Sequence, residues 1–291
     1  MELITWGKIE FADIGLDMPI GDLSGVSARF IDFATETHRV SGKYIAFADL
    51  RDHPEYSEHS HLTPITGTVE YLGFSKLILV WLAPEGLHEE TAVHELMHAW
   101  LFFARGYRCP RRLIGEHPFH VRMFVARIAN IAMDLAVNAE MKRRGFGVGK
   151  QRDDCFQFLE DFSPTLYSPQ YANDPCMHWQ FAEQLGFLCA GADIFEFTDK
   201  NLRVKDYVES IYRHYAPCVL TMRDLIVETL AATGSETSDS VRRFVDVVVP
   251  AMFRYIGERF RPEYLQTVAN PRGSEGLWDP PEPVGASRVL T

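Results

Sequence analysis

Three residues, His94, Glu95 and His98, carry the strongest chemical signal in the chain; they stand within TAVHELMHAW, residues 91–100. On a helix, positions i and i+4 lie about 40° apart in projection and one turn apart in height. Two imidazoles so placed can grip one metal ion, and the glutamate beside the first can reach a water on that ion. A catalytic zinc takes three protein ligands and a water. It lowers the pKa of that water to about 7, and a glutamate takes the proton. The surrounding run is apolar almost all round, with Ala92, Val93, Leu96, Met97, Ala99, Trp100, Leu101 and Phe102. A polar trio buried there needs partners, because unpaired buried polar groups are costly. Trp100 and Phe102 themselves read as core.

A third ligand has to come from elsewhere, and residues 124–141, FVARIANIAMDLAVNAEM, offer one. Arg127, Asn130, Asp134 and Asn138 recur at steps of three, four and four, and form one polar stripe on an otherwise apolar helix. Surface stripes usually hold Lys and Glu, and this one holds neither. If the stripe faces the two histidines, Asp134 binds the metal, and Asn138, one turn on, orients a ligand histidine through its other ring nitrogen. Glu140 is the rival carboxylate. It lies off the stripe, about 120° from Asp134 on the helical wheel, beside Lys142, Arg143 and Arg144.

The other histidines carry weaker patterns. His53, His59 and His61 sit in a polar stretch and read as a hydrated loop, with a second metal site as the alternative. His117 and His120 fall near a helix start, where capping or solvent contact is the default. His178, His214, Tyr171 and Tyr212 are candidates to stabilise an oxyanion, since each can aim a hydrogen-bond donor at developing negative charge.

HELMHAW, followed some 36 residues later by IANIAMDLAVN, resembles the zinc metallopeptidases that often accompany von Willebrand-type domains. In those an HExxH helix is followed by a helix with an Ala-x-Asp-x-x-Val-Asn signature, which Ala132, Asp134, Val137 and Asn138 match in place. The arrangement is also similar to the gluzincins, with Asp134 in place of the ligand glutamate and Asn138 in place of the acid four residues on. The resemblance covers residues 40–150 and implies a zincin fold and peptide hydrolysis. It ends there, because residues 200–265 read as helices rather than the alternating strands and helices of a von Willebrand-type domain. Other HExxH families fit less well. Metzincins need a histidine where Ala104 stands, and deformylases need a cysteine ahead of His94, where there is none. Site-2 proteases need spanning helices. A di-iron site would need a second helical ExxH, which Glu58 and His61 supply only within the polar stretch.

The elements that must position these residues are partly readable. A short helix is expected near residues 26–34, and strands over 43–50, 68–72 and 76–82, where β-branched and aromatic residues concentrate. Helices follow over 87–105, stopped by Gly106, and 117–144, stopped by Gly145. Residues 151–200 look irregular apart from a helix over 177–190. Two more helices are expected over 204–232 and 238–261. The stretch 266–291 is rich in Pro and Gly and reads as an extended tail. Strand 76–82 is the expected sheet edge on which an extended peptide would dock, and Arg105, Arg108, Arg111 and Arg112 read as a solvated basic loop.

Composition bounds the reading. The chain has 291 residues, 46% hydrophobic and 24% charged, enough for a sizeable core. A formal charge of −11 argues against a broad nucleic-acid or anionic-membrane surface. No apolar run approaches the roughly 20 residues a spanning helix needs, and no secretory leader is read at the N-terminus. Five scattered cysteines without a CxxC pair suit a reducing compartment, so a cytoplasmic location is expected.

The expectation is therefore an α+β protein. Residues 1–150 form a zincin-like domain with a small mixed sheet and an HExxH helix, 151–265 a mostly helical part, and 266–291 a tail. His94, His98 and Asp134 would hold Zn2+, Glu95 would be the general base, and a peptide or protein would be the substrate. The alternative is a non-catalytic zinc-binding scaffold, whose signature would be a fourth protein ligand such as His117 or His120.

Overall fold

The computed structural model describes residues 4–5, 9–11, 16–18, 27–50, 67–71, 77–83 and 88–267. Their architecture is α+β: small sheets and a large helical body. Strand β1 (Ile4–Thr5) is followed by a two-stranded antiparallel pair, β2 (Ile9–Phe11) and β3 (Leu16–Met18). Helix α1 (Ala28–Ser41) leads into β4 (Tyr44–Asp49). Strands β5 (Gly67–Glu70) and β6 (Leu77–Leu82) complete a four-stranded sheet in the order β1-β4-β6-β5. β1, β4 and β6 run parallel, and β5 is antiparallel to β6, with Thr68 opposite Trp81.

This order corrects the expected sheet edge. β6 is an inner strand, and the edge beside it is β5. All six residues of β6 are buried. Ile78, Val80 and Leu82 point to the main core, and Leu77, Leu79 and Trp81 to a smaller apolar cluster with Ala46, Ala48 and Leu50. A strand apolar at every position, with no polar alternation, is one buried on both faces.

Helix α2 (Glu89–Arg105) lies against the main-core face of the sheet and carries the HExxH run. Glu89 and Glu90 occupy its first turn, where carboxylates complement the helix dipole. Gly106 ends it with φ of 64°, so that Gly106 N–H donates to Phe102 O and Tyr107 N–H to Leu101 O. After a short strand, β7 (Arg111–Leu113), comes the long helix α3 (Phe119–Arg143).

Helix α4 (Gly149–Phe162) fills a stretch that reads as irregular in sequence. A 3-10 turn (Ser163–Tyr167) and the single-turn α5 (Pro169–Ala172) lead to α6 (Pro175–Ala190). The helix expected over 204–232 is two: α7 (Asp199–Tyr215) and α8 (Pro217–Thr233), broken at Ala216, whose backbone leaves the helical region ahead of Pro217. Helix α9 (Ser238–Tyr255) follows. β8 (Leu265–Thr267) pairs antiparallel with β7, so the first residues of the expected tail belong to a sheet; the rest of it lies outside the described residues.

One contiguous set of buried apolar side chains runs from Phe30 through Val93, Ile128 and Leu159 to Phe244 and Leu265. The core therefore does not divide near residue 150. The basic stretch is not a solvated loop either. Arg105 pairs with Glu140, and Arg111 grips Asp246 through Nε and Nη2, both at 2.7 Å. All five cysteines are free. Among the described residues no helix is long and apolar enough to cross a membrane.

Candidate metal centre

His94 and His98 project from one face of α2 toward Asp134 of α3. The Nε2 atoms of the two histidines lie 3.3 Å apart. Asp134 Oδ1 is 3.2 Å from His98 Nε2 and 3.7 Å from His94 Nε2. Donor atoms on a tetrahedral ion with bonds of about 2.05 Å stand about 3.3 Å from one another. The three atoms thus form nearly the triangle such an ion requires, and among the described residues this is the one His/Cys/Asp/Glu group arranged to hold a metal. His94 Nδ1 is buried and makes no hydrogen bond.

The trio lines a polar cleft of about 220 Å³, together with Gly67 and Thr68 of β5, Glu90, Glu95, Asn130, Asn138 and the first turns of α4. Glu95 follows His94 on α2 and lies against the edge strand: a Cβ on Gly67 would come 2.9 Å from Glu95 Cγ. Burial pushes the Glu95 carboxyl up, with His94 and His98 opposing it. That is the direction a base working near neutral pH needs. Burial disfavours the charged form of His94, but hydrogen bonding and charge from Asp134 outweigh it and raise its pKa. Asp134 shows the reciprocal effect. Burial would raise it, yet the two histidines hold it well below the usual carboxylate range.

The stripe on α3 divides. Asn130, Asp134 and Asn138 face the cleft, whereas Arg127 turns to α6 and donates from Nε to the buried Glu183 at 2.6 Å. Asn138 is buried, and its Nδ2 donates to the backbone carbonyl of Asp134 at 2.8 Å and to Gln151 Oε1 at 2.5 Å. Its side chain contributes to the raised pKa of His94, but its closest bonds are to Asp134 and Gln151. Glu140 is nowhere near the triangle. It is buried among Arg105, Arg143 and Arg144, with contacts of 3.1, 2.5 and 2.7 Å.

Residues of α4 are the part that sequence reasoning missed. Gln151 Nε2 donates to Asp134 Oδ2 at 3.2 Å, and the Lys150 backbone N–H donates to Glu90 at 2.5 Å. Lys150 Nζ pairs with Asp154, one turn on. The signal available was weak: Asp154, Cys155, Phe158 and Leu159 follow a helical period, but Gly149 and the charged run after it mask the helix start.

Among the described residues none of the other candidates joins the site. His117 Nε2 contacts the Ile114 carbonyl at 2.9 Å, and its ring meets Tyr264; His120 lies against Phe124. Neither adds a fourth ligand. His178 Nδ1 is 2.9 Å from the Tyr255 hydroxyl, Tyr212 bonds Ser163 at 2.6 Å, His214 lies against Tyr215, and Tyr171 is exposed. The four expected oxyanion candidates thus lie away from the cleft, whose lining offers Thr68, Thr91, Asn130 and Lys150 as donors instead. His53, His59 and His61 lie outside the described residues. Trp100 is core, with Nε1 donating to Glu36 at 3.0 Å, and Phe102 is half-buried against Tyr71. Comparison with known protein families, with curated proteins and with solved structures gives no match for this chain.

Proposed function

We propose that the protein is a zinc-dependent peptide hydrolase with a zincin-like fold. The observation that carries this reading is the triangle of His94 Nε2, His98 Nε2 and Asp134 Oδ1, at 3.3, 3.2 and 3.7 Å, beside Glu95 in a polar cleft. Three ligands with no fourth among the described residues are the donor set of a catalytic rather than a structural zinc site. Zinc held there supplies a Lewis acid and lowers the pKa of a coordinated water toward about 7.

The chain's own residues supply the rest. Glu95 accepts the proton of the attacking water and returns it to the leaving amine. Asp134 offsets part of the charge of the ion, which two neutral imidazoles cannot do. Strand β5, at the sheet edge among the described residues and next to Glu95, is the element on which we place an extended peptide substrate.

The test is Glu95→Gln. The amide cannot take the proton, so the variant keeps about one zinc per chain, by elemental analysis, and loses peptide hydrolysis. Hydrolysis at the wild-type rate in Glu95→Gln excludes this mechanism. Stoichiometric zinc in the wild type with no hydrolysis of any peptide favours a zinc-binding scaffold.

A further inference from the structure

Gln151 belongs neither to the HExxH run nor to the polar stripe of α3, yet it touches the candidate ligand directly. Its Nε2 donates to Asp134 Oδ2 at 3.2 Å. Its Oε1 accepts from Asn138 Nδ2 at 2.5 Å, and that same amide donates to the Asp134 carbonyl at 2.8 Å. A carboxamide has one accepting and one donating end. With Oε1 taken by Asn138, the donating end of Gln151 is the one presented to Asp134. The chain Asn138–Gln151–Asp134 therefore has a fixed direction and ends on one particular oxygen. That oxygen is Oδ2; the other, Oδ1, faces both histidines.

We infer that Gln151 is a positioning residue that holds Asp134 so that a single carboxylate oxygen joins His94 and His98. This rests on the zinc reading above. A carboxylate with one oxygen occupied by a donor offers only the other, which keeps the protein ligands at three and suits a small four-coordinate ion. Larger cations that collect six or more oxygen ligands, often from bidentate carboxylates, are disfavoured by the same restraint. The device also gives the first turn of α4 a part in the site: α2 and α3 bring the ligands together, and α4 sets the orientation of one of them.

A purely structural role, tying α4 to α3, predicts a different result, and Gln151→Met separates the two because it keeps length and removes both ends of the amide. The full-length wild type, Gln151→Met and Gln151→Ala are compared in three measurements. Zinc affinity is read by competition with a chelator, the visible spectrum is read with cobalt in place of zinc, and the melting temperature is read on the metal-free protein. Gln151→Met is expected to bind zinc about 10- to 100-fold more weakly, the usual effect of losing a partner of a ligand. Its cobalt bands should weaken as Asp134 turns to offer both oxygens and the coordination number rises, while the metal-free melting temperature stays within a few degrees of wild type. Unchanged zinc affinity and an unchanged cobalt spectrum in both variants overturn the inference. So does an affinity loss that only follows a lowered melting temperature with the spectrum intact. A wild-type chain that takes up no zinc would overturn the metal reading itself, which is a distinct result.

Discussion

Gly67 on the edge strand and Glu95 on the HExxH helix are in such close contact that no side chain fits between them. A Cβ at position 67 would lie 2.9 Å from Glu95 Cγ, 3.1 Å from Glu95 Oε1 and 3.2 Å from the Trp81 carbonyl. The carbonyl belongs to β6 and cannot yield, so the glutamate would have to. The glycine thus sets how near the carboxylate can sit to the strand on which we propose the substrate lies.

Gly67→Ala should therefore displace Glu95 without touching the three candidate ligands. Misplacing a catalytic group by about 1 Å can cost on the order of 100-fold in rate. The expected outcome is a fall in kcat of about 10- to 100-fold, with zinc content still close to one per chain. Full activity in this variant would show that the carboxylate tolerates the shift, and that the contact only packs the helix under the sheet.

Asp134 and Glu140 lie within two turns on the same helix and have opposite surroundings. Asp134 meets two imidazoles, and Glu140 meets three guanidinium groups. Asp134→Ala should weaken zinc binding strongly, and Asn138→Ala by about 10- to 100-fold. Glu140→Ala should leave the affinity of the folded protein nearly unchanged. Chelator competition ranks the three, and a silent Asp134→Ala beside a damaging Glu140→Ala would mean that the ligand had been taken from the wrong face of the helix.

How much of this could be read in the sequence depends on how local each cause is. The i, i+4 spacing of the two histidines and the separation of Asp134 from Glu140 around one helix are matters of helical geometry, and in the structure His94, His98 and Asp134 come together while Glu140 sits among arginines. The sheet edge differs from the expectation although the signal is present: LILVWL has no polar position, and continuous apolarity marks a strand buried on both faces. Arg127 shares the stripe with Asp134, but its partner Glu183 lies 56 residues on, and nothing local announces that pair. Gln151 is the extreme case. An uncharged residue near the start of an uncapped helix carries no pattern, and only the meeting of α3 with α4 gives it a task.

The shared core leads to a prediction about the boundary near residue 150. Tyr107 Oη donates to the Ser235 carbonyl at 2.6 Å, Arg111 grips Asp246, and α3 packs against α6 and α9. A fragment of residues 1–150 would expose the apolar side of α3, including Val121, Phe124 and Ile128. It should be expressed without a cooperative thermal transition and should bind zinc far more weakly than the whole chain. A fragment with a sharp melting transition and wild-type zinc affinity would show that the first 150 residues fold alone and that the helical part is an appendage.

Glu140 supplies the clearest pH dependence outside the metal centre. Burial would raise its pKa, but hydrogen bonds from Arg143 and Arg144 and the charge of Arg105 outweigh that and hold the carboxyl at about 2, against an ordinary value of 4.5. The folded-state pKa is depressed, so the stabilisation is fully present above about pH 4.5 and is lost as the pH falls toward 2. A shift of this size corresponds to about 3 kcal/mol as an upper figure, since Arg143 is largely exposed and solvent weakens its share. Glu140→Gln keeps the shape and removes the charge. The variant should be less stable than wild type near neutral pH, by up to about 3 kcal/mol in urea unfolding. Near pH 2 to 3 the difference should shrink, because the wild-type carboxyl is itself taking up its proton there. A constant gap across that range would assign the loss to packing or hydrogen-bond geometry, and would remove the Glu140 charge from the account of how α2 and α3 are held together.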